Sequence, residues 1–184
     1  RSFTIAIVSL SSILSIVIPT LNEEVCLPQL LADLRSQTET SFEVVHVDGF
    51  SEDNTLQKAG DFAQNITITS LQTKTRNVSH QRNLGSSKAV GEWVIFMDAD
   101  NRLPTHFLTV LKQKIESAPR VDIFTTLIDT QSYDFSYKIL VGVGNLLLKL
   151  LSYIKPSGPG SLIGVRRQLA QTYFFDTTAR LSED

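Results

Sequence analysis

Residues 93–101 read Trp-Val-Ile-Phe-Met-Asp-Ala-Asp-Asn, so a run of five apolar residues leads directly into two carboxylates. The length of the run and its β-branched and aromatic content predict a buried β-strand. Asp98 and Asp100 then follow at the point where this strand leaves its sheet. In open α/β sheets the carboxyl edge of the strands is where ligands bind. The stretch therefore predicts both a strand of an α/β sheet and a ligand site at its end.

The two carboxylates can take different roles at such a site. On an extended chain Asp98 and Asp100 would share one face, but at a turn they can separate. One could reach a ribose or a metal-bound water, while the other could bind a metal directly. A carboxylate pair that leaves coordination positions for phosphate suits a hard divalent cation. An ordinary turn after a strand is the alternative interpretation, because Asp-Ala-Asp is a short motif.

The composition predicts one globular domain with a sizeable core, since 42% of the 184 residues are hydrophobic and 20% are charged. The net charge of -2 gives no indication of a nucleic-acid partner. Cys26 is the one cysteine, so the chain has no internal disulfide and is compatible with a reducing compartment such as the cytoplasm. With three histidines besides, a zinc cluster is not expected.

Both ends of the chain carry expectations of their own. No charged residue lies between Phe3 and Thr20, but serines interrupt the apolar residues. We predict an apolar tail over residues 1–13 that precedes the first strand, with a signal peptide or a membrane anchor as the alternative. The chain stops at Asp184 without a helix end, and we expect the domain to be incomplete at its C-terminus.

Strand and helix patterns alternate along the chain. Helical spacing of leucines, as at Leu27, Leu30, Leu31 and Leu34, separates apolar runs that read as strands. The predicted strands cover residues 14–18, 42–47, 66–68, 93–97, 121–129 and 161–165. This rhythm predicts an α/β fold with a mostly parallel sheet and helices on both of its faces.

Residues 137–154 form a broad apolar stripe whose only charges are Lys138 and Lys149. A core helix is one interpretation. The other is a helix that lies on a membrane surface with its lysines at the headgroups.

Polar residues recur where three of the predicted strands end, namely at residues 20–23, at Asp48 and at Asp98 with Asp100. The ends of parallel strands meet at one edge of a sheet, so these residues can converge on one ligand. Arg82 adds a planar cation that suits a diphosphate. The sequence contains neither Gly-x-Gly-x-x-Gly nor Gly-Lys-Ser/Thr, which disfavours a Rossmann dinucleotide site and a P-loop.

Taken together, five segments resemble glycosyltransferase family 2, whose members have the GT-A fold. They are residues 15–24 (Ser-Ile-Val-Ile-Pro-Thr-Leu-Asn-Glu-Glu), 47–55 (Val-Asp-Gly-Phe-Ser-Glu-Asp-Asn-Thr), 81–85 (Gln-Arg-Asn-Leu-Gly), 91–100 (Gly-Glu-Trp-Val-Ile-Phe-Met-Asp-Ala-Asp) and 182–184 (Ser-Glu-Asp). The resemblance implies a single GT-A domain over residues 14–184. Its nucleotide-binding half would cover residues 14–103, and a truncated acceptor half would cover residues 104–184.

The resemblance also implies roles for particular residues. Contacts to the nucleotide sugar would come from Pro19, Leu21, Glu23, Asp48, Arg82, Asp98 and Ala99. The first three of these would line the base and ribose pocket, Asp48 would contact the base, and Arg82 would face the base or the diphosphate. Asp98, Ala99 and Asp100 would form the family's DxD-type motif, in which the two aspartates hold the ribose and a Mg²⁺ or Mn²⁺ ion. Asp184 would be the general base of an inverting transfer.

Two segments depart from the family pattern. Many relatives have Asp-Asp-Gly-Ser where residues 48–51 read Asp-Gly-Phe-Ser, which bears on the base contact and on the choice of nucleotide. Residues 173–176 read Tyr-Phe-Phe-Asp where Gly-Gly-Phe-Asp is usual.

The function implied is a hexosyltransferase of class EC 2.4 that uses a UDP- or GDP-sugar. Its acceptor would be lipid-linked, a polysaccharide or another hydroxyl compound, and a peripheral contact with the cytoplasmic face of a membrane would fit the apolar stripe. The alternatives are a sugar-nucleotide-binding module without activity, or an inactive truncated form. A sugar nucleotidyltransferase is a further alternative, but it would need a glycine-rich basic loop where residues 19–22 read Pro-Thr-Leu-Asn.

Overall fold

The structure is a computed structural model of the chain, and it describes residues 14–126, 141–143, 146 and 162–178. The predicted tail at residues 1–13, most of the stripe at residues 137–154, and Asp184 lie outside the described residues. Within the described part, no helix is both long enough and apolar enough to cross a membrane.

The described elements alternate much as the sequence predicts. The strands are β1 (Leu14–Thr20), β2 (Phe42–Asp48), β3 (Ile68–Gln72), β4 (Trp93–Met97), β5 (Ile123–Thr125) and β6 (Leu162–Arg166). The helices are α1 (Cys26–Arg35), α2 (Thr55–Gly60), α3 (Val78–Lys88), α4 (Phe107–Ser117) and α5 (Arg167–Thr172), and residues 141–143 and 146 are helical as well.

The six strands form one sheet in the order β3-β2-β1-β4-β6-β5. The first four in this order are parallel to their neighbours, whereas β6 is antiparallel to both β4 and β5. The predicted α/β fold with a mostly parallel sheet is therefore confirmed. Because β1, β2 and β4 are parallel, their carboxyl ends lie at one edge of the sheet.

Helices cover both faces of this sheet. Alternate residues of each strand point to opposite faces, so the central strands β1, β2 and β4 contribute to two apolar clusters. On one face, Ile16 and Ile18 of β1 belong to a core cluster with the leucines of α1 and with Leu108 of α4. On the other face, Val17 belongs to a second cluster with Val45 and Val47 of β2, and α3 packs against these two strands. The sheet is thus fully covered at its centre, which explains why all seven residues of β1 are buried.

Helix α3 differs from the other long helices because it buries polar residues. Its buried residues are Ser79, Gln81, Arg82, Gly85 and Ser86. Gly85 allows the helix to approach β1 closely, since a Cβ at this position would lie only 2.3 Å from Val17 Cγ1 and 3.2 Å from Val47 Cγ2. Both of those atoms belong to branched side chains of the central strands, which have little room to move.

We predict that Gly85→Ala destabilises the protein by about 1–3 kcal/mol, because the added methyl group must push α3 away from β1. Chemical denaturation monitored by circular dichroism gives the change in the free energy of unfolding.

The matched control is Gly60→Ala at the end of α2. No atom lies within 4 Å of a Cβ built on Gly60, so this change should be neutral or should stabilise the protein by up to about 1 kcal/mol. Equal effects of the two substitutions would contradict the close packing of α3 on β1.

Candidate active site

The loops that follow β1 and β2 are joined by hydrogen bonds at the carboxyl edge of the sheet. The Asn22 amide donates to Ser51 Oγ at 2.9 Å, and the Glu52 amide donates to Asn22 Oδ1 at 2.9 Å. The Glu23 amide donates to Thr55 Oγ1 at 2.7 Å. Asn22 therefore holds the two loops together with its backbone and side chain, and it adopts the left-handed conformation with φ 58°.

Asp48, at the end of β2, is buried between these loops. One of its oxygens accepts from the Ser51 amide and from Gln72 Nε2, each at 3.0 Å. Burial raises the pKa of the Asp48 carboxyl, but the hydrogen bonds from Ser51 and Gln72 outweigh it and hold the pKa below its usual value. In the structure the Asp48 carboxylate is enclosed by protein donors. The contact with a base that the sequence predicts for Asp48 stays a prediction.

His46 lies two residues before Asp48 and is fully buried. Its Nε2 is 2.8 Å from Thr20 Oγ1, and its Nδ1 is 3.2 Å from Ser70 Oγ, so both ring nitrogens have a hydroxyl partner. Burial lowers the pKa of His46 to about 4, against the opposing effect of the Asp48 charge. The imidazole is therefore neutral at pH 7, and it links β2 with its two neighbours β1 and β3.

Gln81 fixes the start of α3 to the same edge. Its side-chain amide donates to the Thr20 carbonyl at 2.7 Å and to the Val47 carbonyl at 2.9 Å. Gly49 leaves room for this contact, since a Cβ there would lie 3.1 Å from both Gln81 Nε2 and the Thr20 carbonyl oxygen. The first turns of α3 are thus held directly above β1 and β2.

The next residue, Arg82, forms an ion pair with the first aspartate of the Asp-Ala-Asp motif. Arg82 Nη2 lies 2.8 Å from Asp98 Oδ1, and the exposed fractions of the two side chains are 9% and 37%. The Arg82 guanidinium also lies over the ring of Phe175, 5.4 Å from its centroid. Arg82 is therefore oriented by a carboxylate and an aromatic face, and its positive charge lies beside the partly exposed Asp98.

The Glu23 carboxyl, in the loop after β1, is affected by neighbouring carboxylates of other loops. Burial, together with the charges of Asp100, Asp53 and Asp98, raises the pKa of Glu23, and a hydrogen bond from the Cys26 thiol works in the opposite direction. Asp100 itself is exposed, whereas Ala99 between the two aspartates is buried. The charges of Asp98 and Asp100 thus act on Glu23, while Asp98 also pairs with Arg82, and the binding roles predicted for these residues stay predictions.

The carboxylate oxygens of Asp98 and Asp100 are of the kind that Mg²⁺ and Mn²⁺ prefer as ligands. Among the described residues, however, no group of three or more His, Cys, Asp or Glu side chains could hold a metal ion. A cation at Asp98 and Asp100 would therefore need further oxygen ligands, such as the phosphates of a bound molecule.

A second set of contacts ties the C-terminal part of the chain to α3. The side chain of Asn83 accepts from the Phe175 amide at 2.8 Å and donates to the Phe175 carbonyl at 2.9 Å, so it pairs with the backbone as a neighbouring strand would. Asn77 Nδ2 donates to the Thr177 carbonyl at 3.4 Å. Residues 175–177 therefore run alongside α3 towards its N-terminal end, which lies at the carboxyl edge of the sheet.

The remaining predicted site residues take different places. Pro19 is buried within β1, and Leu21 follows it with 39% of its surface exposed. Asp184, predicted as the base, lies outside the described residues, so its position stays a prediction. Sequence reasoning gave no role to Gln81, Asn83 or His46, although the first two flank Arg82 in the motif at residues 81–85.

The sequence matches a protein-family model and several known proteins. The family model described as "Glycosyl transferase family 2" matches residues 15–174. A PGL/p-HBAD biosynthesis glycosyltransferase of Mycobacterium bovis is 40% identical over 91 residues, which are 48% of this chain and 36% of that protein. The poly(ribitol-phosphate) beta-N-acetylglucosaminyltransferase TarS of Staphylococcus aureus is 36% identical over 91 residues, which are 47% of this chain and 16% of TarS. The chain thus spans well under half the length of these curated relatives.

Solved structures resemble the chain over a longer range. The S. aureus TarS complex with UDP-GlcNAc superimposes with a TM-score of 0.67 at 25% identity, covering 86% of this chain and 46% of that one. The mannosyltransferase PcManGT from Pyrobaculum calidifontis, in complex with GDP-Man and Mn²⁺, gives a TM-score of 0.73 at 23% identity, covering 91% and 48%. These likenesses confirm the predicted GT-A fold.

The buried imidazole of His46 makes stability depend on pH. Below about pH 6.5 the unfolded chain binds a proton at this residue that the folded protein does not accept until the pH approaches about 4. We therefore predict that the free energy of unfolding falls as the pH is lowered from about 6.5 to about 4, by up to about 3 kcal/mol. Urea denaturation across this range should show a shallower fall for His46→Gln, and identical pH slopes for the two proteins would contradict the assignment.

Proposed function

This chain belongs to glycosyl transferase family 2, and from that premise we propose that it transfers a sugar from a nucleoside-diphosphate sugar to an acceptor hydroxyl. The observation that carries the proposal is the ion pair between Arg82 and Asp98 beside Asp100 at the carboxyl edge of the sheet. A nearly buried cation next to partly exposed carboxylates suits a ligand that carries both phosphate and a bound cation.

We propose a UDP- or GDP-sugar as the donor, in keeping with the UDP-GlcNAc that S. aureus TarS holds in its crystal structure. Pro19, Leu21 and Glu23 would line the pocket for base and ribose at the end of β1. Asp48 would act on the base side of this pocket, where the hydrogen bonds from Ser51 and Gln72 keep its carboxylate fixed. Asp98, with Ala99 beside it, would face the ribose.

The residues that would hold a divalent cation, Mg²⁺ or Mn²⁺, are Asp98 and Asp100. When bound, such a cation neutralises the charge that develops on a departing diphosphate. Arg82 adds a fixed positive charge on the same side, and its ion pair with Asp98 holds both side chains in position. The protein's own contribution at this point is therefore to orient the diphosphate and to stabilise it as it leaves.

For the transfer itself we propose an inverting displacement with Asp184 as the general base. A carboxylate on the far side of the sugar from the diphosphate would take the proton of the acceptor hydroxyl as that hydroxyl attacks the anomeric carbon. The contacts of Asn83 and Asn77 with residues 175–177 support this assignment, because they direct the chain towards the carboxyl edge before it reaches residue 184.

We propose in addition that the acceptor is lipid-linked or a polysaccharide, and that the protein works at the cytoplasmic face of a membrane. The apolar stripe at residues 137–154 motivates this part of the proposal.

The first test is calorimetric titration of the protein with UDP and with GDP, each with and without Mn²⁺. We predict that Mn²⁺ increases the affinity for one of them and that Asp100→Ala removes most of this increase, because Asp100 supplies an oxygen ligand. The exposed Asp100 side chain leaves the fold intact when it is truncated, so the melting temperature should stay unchanged.

Asp61→Ala is the matched control, since Asp61 is an exposed aspartate at the end of α2, at the opposite edge of the sheet. It should retain the full effect of Mn²⁺. If neither nucleotide binds the wild-type protein, the proposed function is wrong. If a nucleotide binds but no donor sugar is released or transferred, a binding module without activity becomes the better description.

The second test concerns Arg82. We predict that Arg82→Lys weakens nucleotide binding about ten-fold, equivalent to about 1–2 kcal/mol, because an ammonium group cannot reproduce the planar contacts with Asp98 and with a diphosphate. The measurement is the dissociation constant for UDP or GDP in the presence of Mn²⁺, compared between the wild type and Arg82→Lys.

Arg35→Lys offers a control with the same chemistry, because the Arg35 guanidinium lies 5.6 Å from the centroid of the Phe62 ring at the end of α1, away from the site. It should bind nucleotide as the wild-type protein does. Unchanged binding by Arg82→Lys as well would show that Arg82 does not contact the donor.

A further inference from the structure

Phe50, in the loop that follows β2, has a backbone conformation that disfavours a bulky side chain. Its φ is 64°, in the left-handed region that glycine enters freely and that residues with a Cβ enter at a cost in free energy. Among the described non-glycine residues, only Asn22 shares this property. Asparagine tolerates the conformation far better than phenylalanine does.

Hydrogen bonds on both sides of Phe50 impose the conformation. The Gly49 amide donates to the Thr20 carbonyl at 2.8 Å, and the Ser51 amide donates to Asp48 Oδ2 at 3.0 Å. Arg76 Nη2 donates to the carbonyl of Phe50 itself at 3.2 Å. Because these contacts use backbone and neighbouring groups, the loop would keep its shape with glycine at position 50.

The ring of Phe50 gives little back to the fold. The residue is 45% exposed, and it belongs to neither of the two apolar clusters found among the described residues. Its ring contacts Lys74, whose Nζ lies 5.9 Å from the ring centroid. The strained backbone lowers stability, and a ring that is 45% exposed offsets little of this cost, which is typical of residues that meet a ligand.

The surroundings of the ring indicate the chemistry of that ligand. Phe50 lies at the carboxyl edge, in the loop that Asn22 joins to the end of β1. Lys74 and Arg76 come from the segment after β3, and Arg76 forms an ion pair with Glu52. An aromatic face and the Lys74 ammonium group therefore meet at this place. A planar ring that carries polar edges and is attached to phosphates fits both features.

We propose that Phe50 stacks on the nucleobase of the donor and thereby helps to determine which nucleotide binds. This inference rests on the proposed function, and it assigns the base side of the site to the loop after β2. Lys74 lies against the same ring and would contact a polar edge of the base. The ring of Phe50 thus contributes mainly to binding and little to folding.

The test is Phe50→Gly, because a role of the ring in ligand binding and a role in folding predict opposite results. If the ring serves the ligand, glycine should weaken the binding of UDP or GDP about ten-fold, a typical effect of losing one base-stacking aromatic ring. The melting temperature should stay the same or rise, since glycine relieves the backbone strain. Calorimetry in the presence of Mn²⁺ and thermal denaturation give the two measurements.

Two further variants sharpen the experiment. Phe50→Tyr keeps an aromatic ring and should retain the wild-type affinity. Val90→Ala removes an exposed apolar side chain from the loop before β4, at the opposite edge of the sheet, and should change neither measurement.

Competition by inorganic pyrophosphate, which lacks a base, separates base contacts from diphosphate contacts. Its affinity should be the same for the wild type and for Phe50→Gly. An equal loss for pyrophosphate and nucleotide would overturn the base assignment, as would unchanged nucleotide binding or a clear fall in melting temperature. Wild-type protein that binds neither UDP nor GDP would instead refute the proposed function itself.

Discussion

The ion pair between Arg82 and Asp98 is the interaction on which the site depends. An arginine side chain that is 9% exposed has lost most of its hydration, so the Asp98 carboxylate and the Phe175 ring are needed to hold its charge at this place. The ion pair also fixes the direction of the Asp98 side chain, which is partly exposed at the carboxyl edge. The same pair therefore orients a positive and a negative group towards the place where we propose that the diphosphate and its cation bind.

Several features of the fold combine to hold this cation at the edge of the sheet. Gly85 lets α3 lie close to β1, and Gln81 fixes the first turns of the helix to the ends of β1 and β2. Asn83 pairs with the backbone at Phe175, whose ring lies under the guanidinium of Arg82. One helix thus connects the strand ends that would hold the donor with the chain that leads towards the predicted base.

The sequence predicted the sheet and the carboxylates at its edge because those signals are local. The apolar run at residues 93–97 and the aspartates after it need no distant partner to be recognised. Asn22 shows what local reasoning misses, since its side chain accepts a hydrogen bond from the Glu52 amide, which is 30 residues away in the sequence. The enclosure of Asp48 by Gln72, the burial of His46 and the antiparallel direction of β6 likewise depend on pairings between distant parts of the chain.

The most direct measurement is a crystal structure of the protein with Mn²⁺ and whichever of UDP or GDP it binds. We predict the diphosphate within hydrogen-bonding distance of Arg82, the cation on Asp100, and the base near the loops that follow β1 and β2. A nucleotide bound elsewhere, such as in the cleft lined by Leu34, Phe42 and Ile66, would contradict the proposed site.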